Sequence, residues 1–148
     1  MVLFVHKCAG VVALLTIAMF WSATVIAGVA LEVDAAIAVK TAIPYGLLVL
    51  VPALAAMGGS GYRLARGRSA GPVGAKRRRM PFIAANGLLV LVPSALFLAA
   101  RAQAAIFDPL FYTVQAIELV AGAVNLTLLA LNMRDGLRMT AARRLRQG

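Results

Sequence analysis

Four long apolar stretches take up most of this chain and restrict it to one kind of fold. Residues 8–31, 41–62 and 80–100 contain no Asp, Glu, Lys or Arg, and residues 109–133 contain only Glu118. A helix needs about 20 apolar residues to cross the hydrocarbon core of a bilayer, and each stretch is long enough. The sequence therefore predicts an all-α integral membrane protein, a bundle of four transmembrane helices.

The composition supports the same fold class. Hydrophobic residues make up 62% of the chain, charged residues only 14%, and the mean hydropathy is +0.90. A soluble domain is about half apolar and about a quarter charged, so the composition excludes a disordered chain and argues against a soluble globule. No segment outside the four stretches is long enough for a separate soluble core. We therefore expect all 148 residues to form one membrane domain.

The basic residues predict how the chain is threaded. Of the fifteen Lys and Arg residues, all except Lys40 and Arg101 lie before the first stretch, between the second and third, or after the fourth. Short segments rich in Lys and Arg stay in the cytoplasm. We predict an up-down-up-down bundle in a bacterial-type inner (plasma) membrane, with both termini, the basic loop 63–79 and the basic tail 134–148 in the cytoplasm.

The basic loop 63–79 is interpreted as a contact with anionic lipids at the cytoplasmic face. A docking patch for nucleic acid or for an acidic partner is the alternative. The loop has no interleaved aromatic residues and no binding motif, so we predict that nucleic acid is not a partner. The residues expected to contact anionic lipid are Arg63, Arg66, Arg68, Lys76, Arg77, Arg78 and Arg79.

The first apolar stretch has some features of a signal peptide. It follows Lys7 and ends near the small residues Ala27, Gly28 and Ala30. Its apolar run is longer than the 7–15 residues of a usual signal sequence. We therefore expect a retained helix. Cleavage would leave three spans with the remaining topology unchanged.

A short repeat places a proline inside two of the predicted spans. The sequence GLLVLVP occurs at residues 46–52 and again at residues 87–93. A proline in a helix interior removes one hydrogen bond. Proline-interrupted helices at corresponding positions mark midplane binding sites in some transporters. The repeat therefore predicts either a pocket near Pro52 and Pro93 or two plain packing kinks.

Glu118 is the only ionisable residue deep in a predicted span. It lies nine residues after Pro109, about 14 Å along a helix and close to the bilayer centre. A charge there is costly, and no Lys or Arg falls inside a predicted span to pair with it. We therefore expect Glu118 to be protonated.

Polar residues share the predicted helix face of Glu118 and form a stripe that should point into the bundle. The stripe consists of Gln115, Glu118, Gly122, Asn125 and Asn132, with Asn86 on the third span as a further partner. One interpretation makes Glu118, Asn125, Gln115 and Asn86 a ligand- or proton-binding group. The others make the stripe a hydrogen-bonded contact between helices, or a contact with another subunit.

Motifs for catalysis, metals and cofactors are absent from the sequence. His6 is the only histidine and Cys8 the only cysteine, so a metal site or a disulfide within one chain is not expected. We predict no cofactor and favour a function without catalysis, with a membrane enzyme as the third interpretation. The favoured function is an accessory, assembly or scaffold subunit with a protein partner or as a homo-oligomer. The alternative is a small proton-linked transporter or lipid/ligand-binding protein that uses Glu118.

Overall fold

The computed structural model of this protein describes residues 1–30, 32–64 and 71–145. Within these ranges the chain is helical apart from short connections and contains no strand. The helices are α1 Val2–Ala30, α2 Val33–Leu64, α3 Gly71–Asn86, α4 Val92–Gln103 and α5 Pro109–Leu145. A π-helical segment, Gly87–Leu91, joins α3 to α4 so that the two form one long rod.

Four helical segments in the described residues are long and apolar enough to cross a membrane. They are Val2–Val29, Val33–Leu64, Val73–Gln103 and Pro109–Met139. The predicted all-helical, multi-pass membrane protein is confirmed to this extent. The helices extend beyond the predicted spans because polar residues such as Lys and Arg are also good helix formers.

The expected basic loop 63–79 is helical at both ends, which corrects its predicted bounds. Helix α2 continues to Leu64, and α3 begins at Gly71. Proline is tolerated in the first turn of a helix, as at Pro72, and Lys and Arg are good helix formers. Arg66 and Arg68 lie outside the described residues. The basic tail continues α5 as far as Leu145.

The two copies of the repeat adopt different backbones. Helix α2 runs without interruption through Pro44 and Pro52. In the second copy the backbone widens into the π-helical segment, where the Val92 N–H bonds to the Gly87 carbonyl five residues back. Pro93 follows at once. A π turn is one of the known ways in which a helix absorbs a missing hydrogen bond.

Two clusters of buried apolar side chains hold the helices together. The larger one joins α1, α2, α3 and α5 through Ala13, Ile17, Leu50, Met57, Ile83 and Leu129. The smaller one joins α4 and α5 through Leu98, Ala102 and Phe111. Close approach also relies on glycine, since a Cβ at Gly46 would lie 2.1 Å from the Phe20 ring. The polar residues discussed below lie between these packed helices.

Candidate functional site

A buried lysine contacts a partly buried glutamate between three helices. Lys40 on α2 is only 2% exposed, and its Nζ contacts the Glu118 carboxylate on α5. The same ammonium donates a hydrogen bond to Thr24 Oγ1 on α1, at 3.4 Å. The predicted spans leave Lys40 outside and give Glu118 no basic partner, and both predictions are wrong. Residues 35–39 are apolar and belong to α2, which begins at Val33. Lys40 therefore lies inside the helix, where it is buried.

The contact changes the electrostatics expected of Glu118. An isolated charge is costly in a low-dielectric interior, but a hydrogen-bonded pair of opposite charges offsets much of that cost. Lys40 supplies the positive charge, and Thr24 accepts one of its remaining N–H groups. The premise that Glu118 must carry a proton for want of a partner therefore no longer holds.

The depth of the pair follows from helix geometry. Lys40 lies seven residues after the start of α2, and Glu118 nine residues after the start of α5. At 1.5 Å per residue these distances are about 10 Å and about 14 Å. The pair therefore lies well inside the helices, towards the ends where α2 and α5 begin.

A small cavity of about 60 Å³ lies beside Glu118. Its polar lining comes from Thr24, Trp21 and Glu118, and the rest of its wall is mainly apolar. This volume has room for a few water molecules. Leu50 and Leu91, which are equivalent positions in the repeat, both line the cavity. The prolines that led us to expect a pocket do not line it.

The side chains of Pro52 and Pro93 are both exposed. The repeat thus contributes leucines to the cavity, and the structure does not bring its prolines together with Glu118 or its partners.

Trp21 is a member of this region that the sequence did not identify. Its Nε1 donates to the Leu119 carbonyl on α5, at 3.0 Å. A Cβ at Gly122 would lie 3.0 Å from the Trp21 ring, so the glycine leaves the room that the indole needs. A tryptophan in mid-span requires a partner for its N–H, which was the available signal.

Asn86 and Asn125 form a second polar contact, between α3 and α5. Asn86 Nδ2 donates to Asn125 Oδ1 and to the Ala121 carbonyl, both at 2.9 Å. Asn125 is fully buried and donates to the Ile83 carbonyl at 3.4 Å. Asn125 lies seven residues beyond Glu118, about 10 Å along α5. The asparagines therefore form a contact of their own.

Gln115 packs elsewhere, beside Gly28 of α1, where a Cβ would lie 3.9 Å from its amide nitrogen. The four predicted ligand- or proton-binding residues are Glu118, Asn125, Gln115 and Asn86. All face other helices, but the structure divides them among three separate contacts.

A third polar cluster joins α1, α2 and α3 at the opposite end of the bundle. Lys76 Nζ donates to His6 Nε2 at 2.9 Å. Because an ammonium group only donates, His6 must carry its hydrogen on Nδ1, which lies 3.0 Å from Ser60 Oγ and 3.1 Å from the Met57 carbonyl. Lys76 is thereby held against the protein.

The predicted lipid-contacting residues differ in what they face. Arg79 donates to Asp135 at 2.7 Å and to Asn132 at 3.4 Å, so it binds α5. Arg63, Arg77 and Arg78 are exposed. Exposed guanidinium groups suit contact with anionic lipid, whereas Lys76 and Arg79 bind other side chains of the same chain.

Within the described ranges, no three metal-ligating side chains of His, Cys, Asp or Glu come together. Cys8 is exposed and unpaired with another cysteine. Comparisons with protein-family models, with curated proteins and with solved structures gave no match to this chain.

Proposed function

We propose that this chain is an accessory, assembly or scaffold subunit in a bacterial-type inner membrane, with no catalysis of its own. The observation that carries the proposal is that polar side chains between the helices bind one another. Lys40 binds Glu118, and Asn86 binds Asn125. Side chains that bind each other in this way hold neighbouring helices together.

The proposed topology is up-down-up-down with both termini in the cytoplasm. His6, near the start of α1, contacts Ser60, near the end of α2. Thr24, near the end of α1, contacts Lys40, near the start of α2. An antiparallel pair of helices of this kind supports the proposed topology. The exposed Arg63, Arg77 and Arg78 lie at the end marked by His6. Their positive charge favours the cytoplasmic side for that end.

A second candidate function, proton-linked transport or binding of a small ligand, is favoured by one observation. Glu118 lines the cavity of about 60 Å³ beside Trp21 and Thr24. A carboxylate that contacts a lysine and lines a cavity with room for water is placed to take part in proton exchange.

The first experiment is purification of the full chain in a mild detergent, with mass spectrometry of co-eluting proteins. A companion at fixed stoichiometry is expected. Recovery of the chain alone would contradict the accessory role.

The second experiment uses the double variant Lys40→Gln/Glu118→Gln, which keeps polar side chains at both positions and removes both charges. For an accessory subunit, companion recovery should match that of the unaltered chain. Proteoliposomes with an internal pH dye should respond to a pH step equally with either protein. Proton flux that the double variant abolishes would instead establish the proton-linked function.

A further inference from the structure

An open groove runs along the outer surface between α3 and α5. Its volume is about 480 Å³. It is lined by Asn86, Ala116, Ile117, Val120, Ala121 and Val124. Val120 is 67% exposed, so the groove faces outward from the bundle. None of these residues is charged, as expected for a surface inside the membrane.

Asn86 leaves one polar atom for this groove. The Ala121 carbonyl can only accept a hydrogen bond, so the amide nitrogen of Asn86 must face it. Both N–H groups are then used, on Ala121 and on Asn125. The Asn86 carbonyl oxygen accepts no hydrogen bond from any residue that the structure describes. In hydrocarbon an unpaired carbonyl is costly, and a lipid acyl chain has no donor to offer.

A donor at a suitable depth exists on α5 itself. Thr127 is exposed and continues the groove face, three residues after Val124. Its hydroxyl donates to the Ala123 carbonyl at 2.8 Å, within its own helix. Asn86 binds Asn125, and Thr127 lies two residues beyond Asn125 on the same helix. Thr127 is therefore about 3 Å from Asn125 along the helix axis, at nearly the depth of Asn86. The Ala123 carbonyl also accepts a backbone hydrogen bond of the helix, so it keeps a partner when the Thr127 hydroxyl turns to another acceptor.

We propose that this groove binds α5 of a second copy of the chain. A two-fold axis along the membrane normal keeps every residue at the same depth in both copies. Each Thr127 hydroxyl then donates to the Asn86 carbonyl oxygen of the other copy, and both acceptors are satisfied. Ala116 and Ala121 are small, so the two helices can approach closely.

Cysteine cross-linking of the full chain in native membranes tests this arrangement. The background variant is Cys8→Ser, which removes the only native thiol. Val120→Cys, in the groove, is expected to give a disulfide-linked dimer under mild oxidation. Met19→Cys is the matched control, since Met19 is 62% exposed on α1. Met19 lies eleven residues before the last residue of α1, and Val120 lies eleven residues after the first residue of α5. No dimer at Val120, or equal yields at both positions, would overturn the proposal.

The hydroxyl contact has a matched pair of variants. Thr113 and Thr127 are both exposed, and both donate at 2.8 Å to a carbonyl four residues back. Thr113 lies 14 residues from Thr127, about 21 Å away. Thr127→Val should weaken dimerisation in lipid about eightfold, because two interhelical hydrogen bonds are lost. Dimerisation is measured by energy transfer between labelled chains as they are diluted in lipid. Thr113→Val should change it less than about twofold. Equal effects would overturn the contact.

This inference and the accessory role fail separately. A cross-linked dimer without any companion would contradict the accessory role and support the second copy. A different protein linked at Val120 in place of a second copy would overturn the dimer and leave the accessory role in place.

Discussion

Lys40 on α2 and Glu118 on α5 are 78 residues apart in the sequence and in direct contact inside the bundle. Their side chains are 2% and 12% exposed. With Thr24 they connect α1, α2 and α5 at one depth. Each charge makes the other tolerable in the interior, so the two residues should behave as a unit when either is replaced.

Single replacements within this pair should destabilise the fold more than the double replacement. Lys40→Met or Glu118→Leu leaves one buried charge without its partner, which costs about 3–5 kcal/mol. The double variant Lys40→Met/Glu118→Leu removes both charges and should lie within about 1–2 kcal/mol of the unaltered chain. Unfolding by detergent titration, followed by loss of helical circular dichroism, measures these differences. Additive losses in the double variant would show that the residues do not depend on each other.

The sequence predicted the four membrane helices well because length and hydropathy alone determine them. It fails at Lys40 because the uncharged run that defines the second span begins only at Thr41. The preceding apolar residues 35–39 were the missed signal, since they place Lys40 within a longer apolar helix. A carboxylate alone in the last span was a second signal, because such a group requires a partner somewhere in the bundle.

The inward face of the polar stripe was also predictable, from helical periodicity. Asn125 and Asn132 are both buried, as that periodicity requires. Which partner each side chain meets was not predictable, because it depends on how neighbouring helices are aligned along their axes. The repeat shows the same limit, since identical heptapeptides at 46–52 and 87–93 adopt different backbones in different surroundings.

Gly46 should be intolerant of even a small side chain. A Cβ there would lie 2.1 Å from the Phe20 ring, so Gly46→Ala forces α1 and α2 apart or displaces the ring. Overpacking of this kind costs about 1–3 kcal/mol. The midpoint of thermal unfolding in detergent should therefore fall.

Two further variants separate this clash from the general effect of alanine. Gly46→Ala combined with Phe20→Leu should recover much of the loss, because the ring atoms in the way are removed. Gly59→Ala is the control on the same helix, since nothing lies within 4 Å of its added Cβ. It should be neutral or stabilising by up to about 1 kcal/mol, from helix propensity. A loss at Gly59 equal to that at Gly46 would contradict the steric explanation.

The proposed topology predicts opposite labelling of two exposed positions. In the Cys8→Ser background, a membrane-impermeant thiol reagent applied to intact cells should label Gln103→Cys, at the end of α4. Arg78→Cys on α3 should be labelled only in inverted vesicles. The physical reason is the retention of basic segments in the cytoplasm. Labelling of Arg78→Cys in intact cells would reverse the orientation.

Asp108 should give the connection between α4 and α5 a dependence on pH. Asp108 Oδ1 accepts the Phe111 backbone N–H at 2.9 Å, as an N-cap, and its other oxygen contacts Arg101. The Phe111 N–H, and then the Arg101 guanidinium, hold the pKa of Asp108 below that of an ordinary aspartate. A carboxylate whose pKa is lower in the folded state stabilises it fully above the ordinary value, about 4. That stability is lost as the pH falls through the lower, folded value.

The matched variant for this dependence is Asp108→Asn, which keeps an oxygen to cap Phe111 but cannot titrate. The quantity to follow is the difference in thermal midpoint between the unaltered chain and the variant, from about pH 6 to about pH 3. The difference cancels every effect of pH that the two proteins share. The unaltered chain should be the more stable above about pH 4, and its advantage should shrink at lower pH. A difference that stays constant down to about pH 3 would show that the ionised Asp108 does not stabilise the folded state.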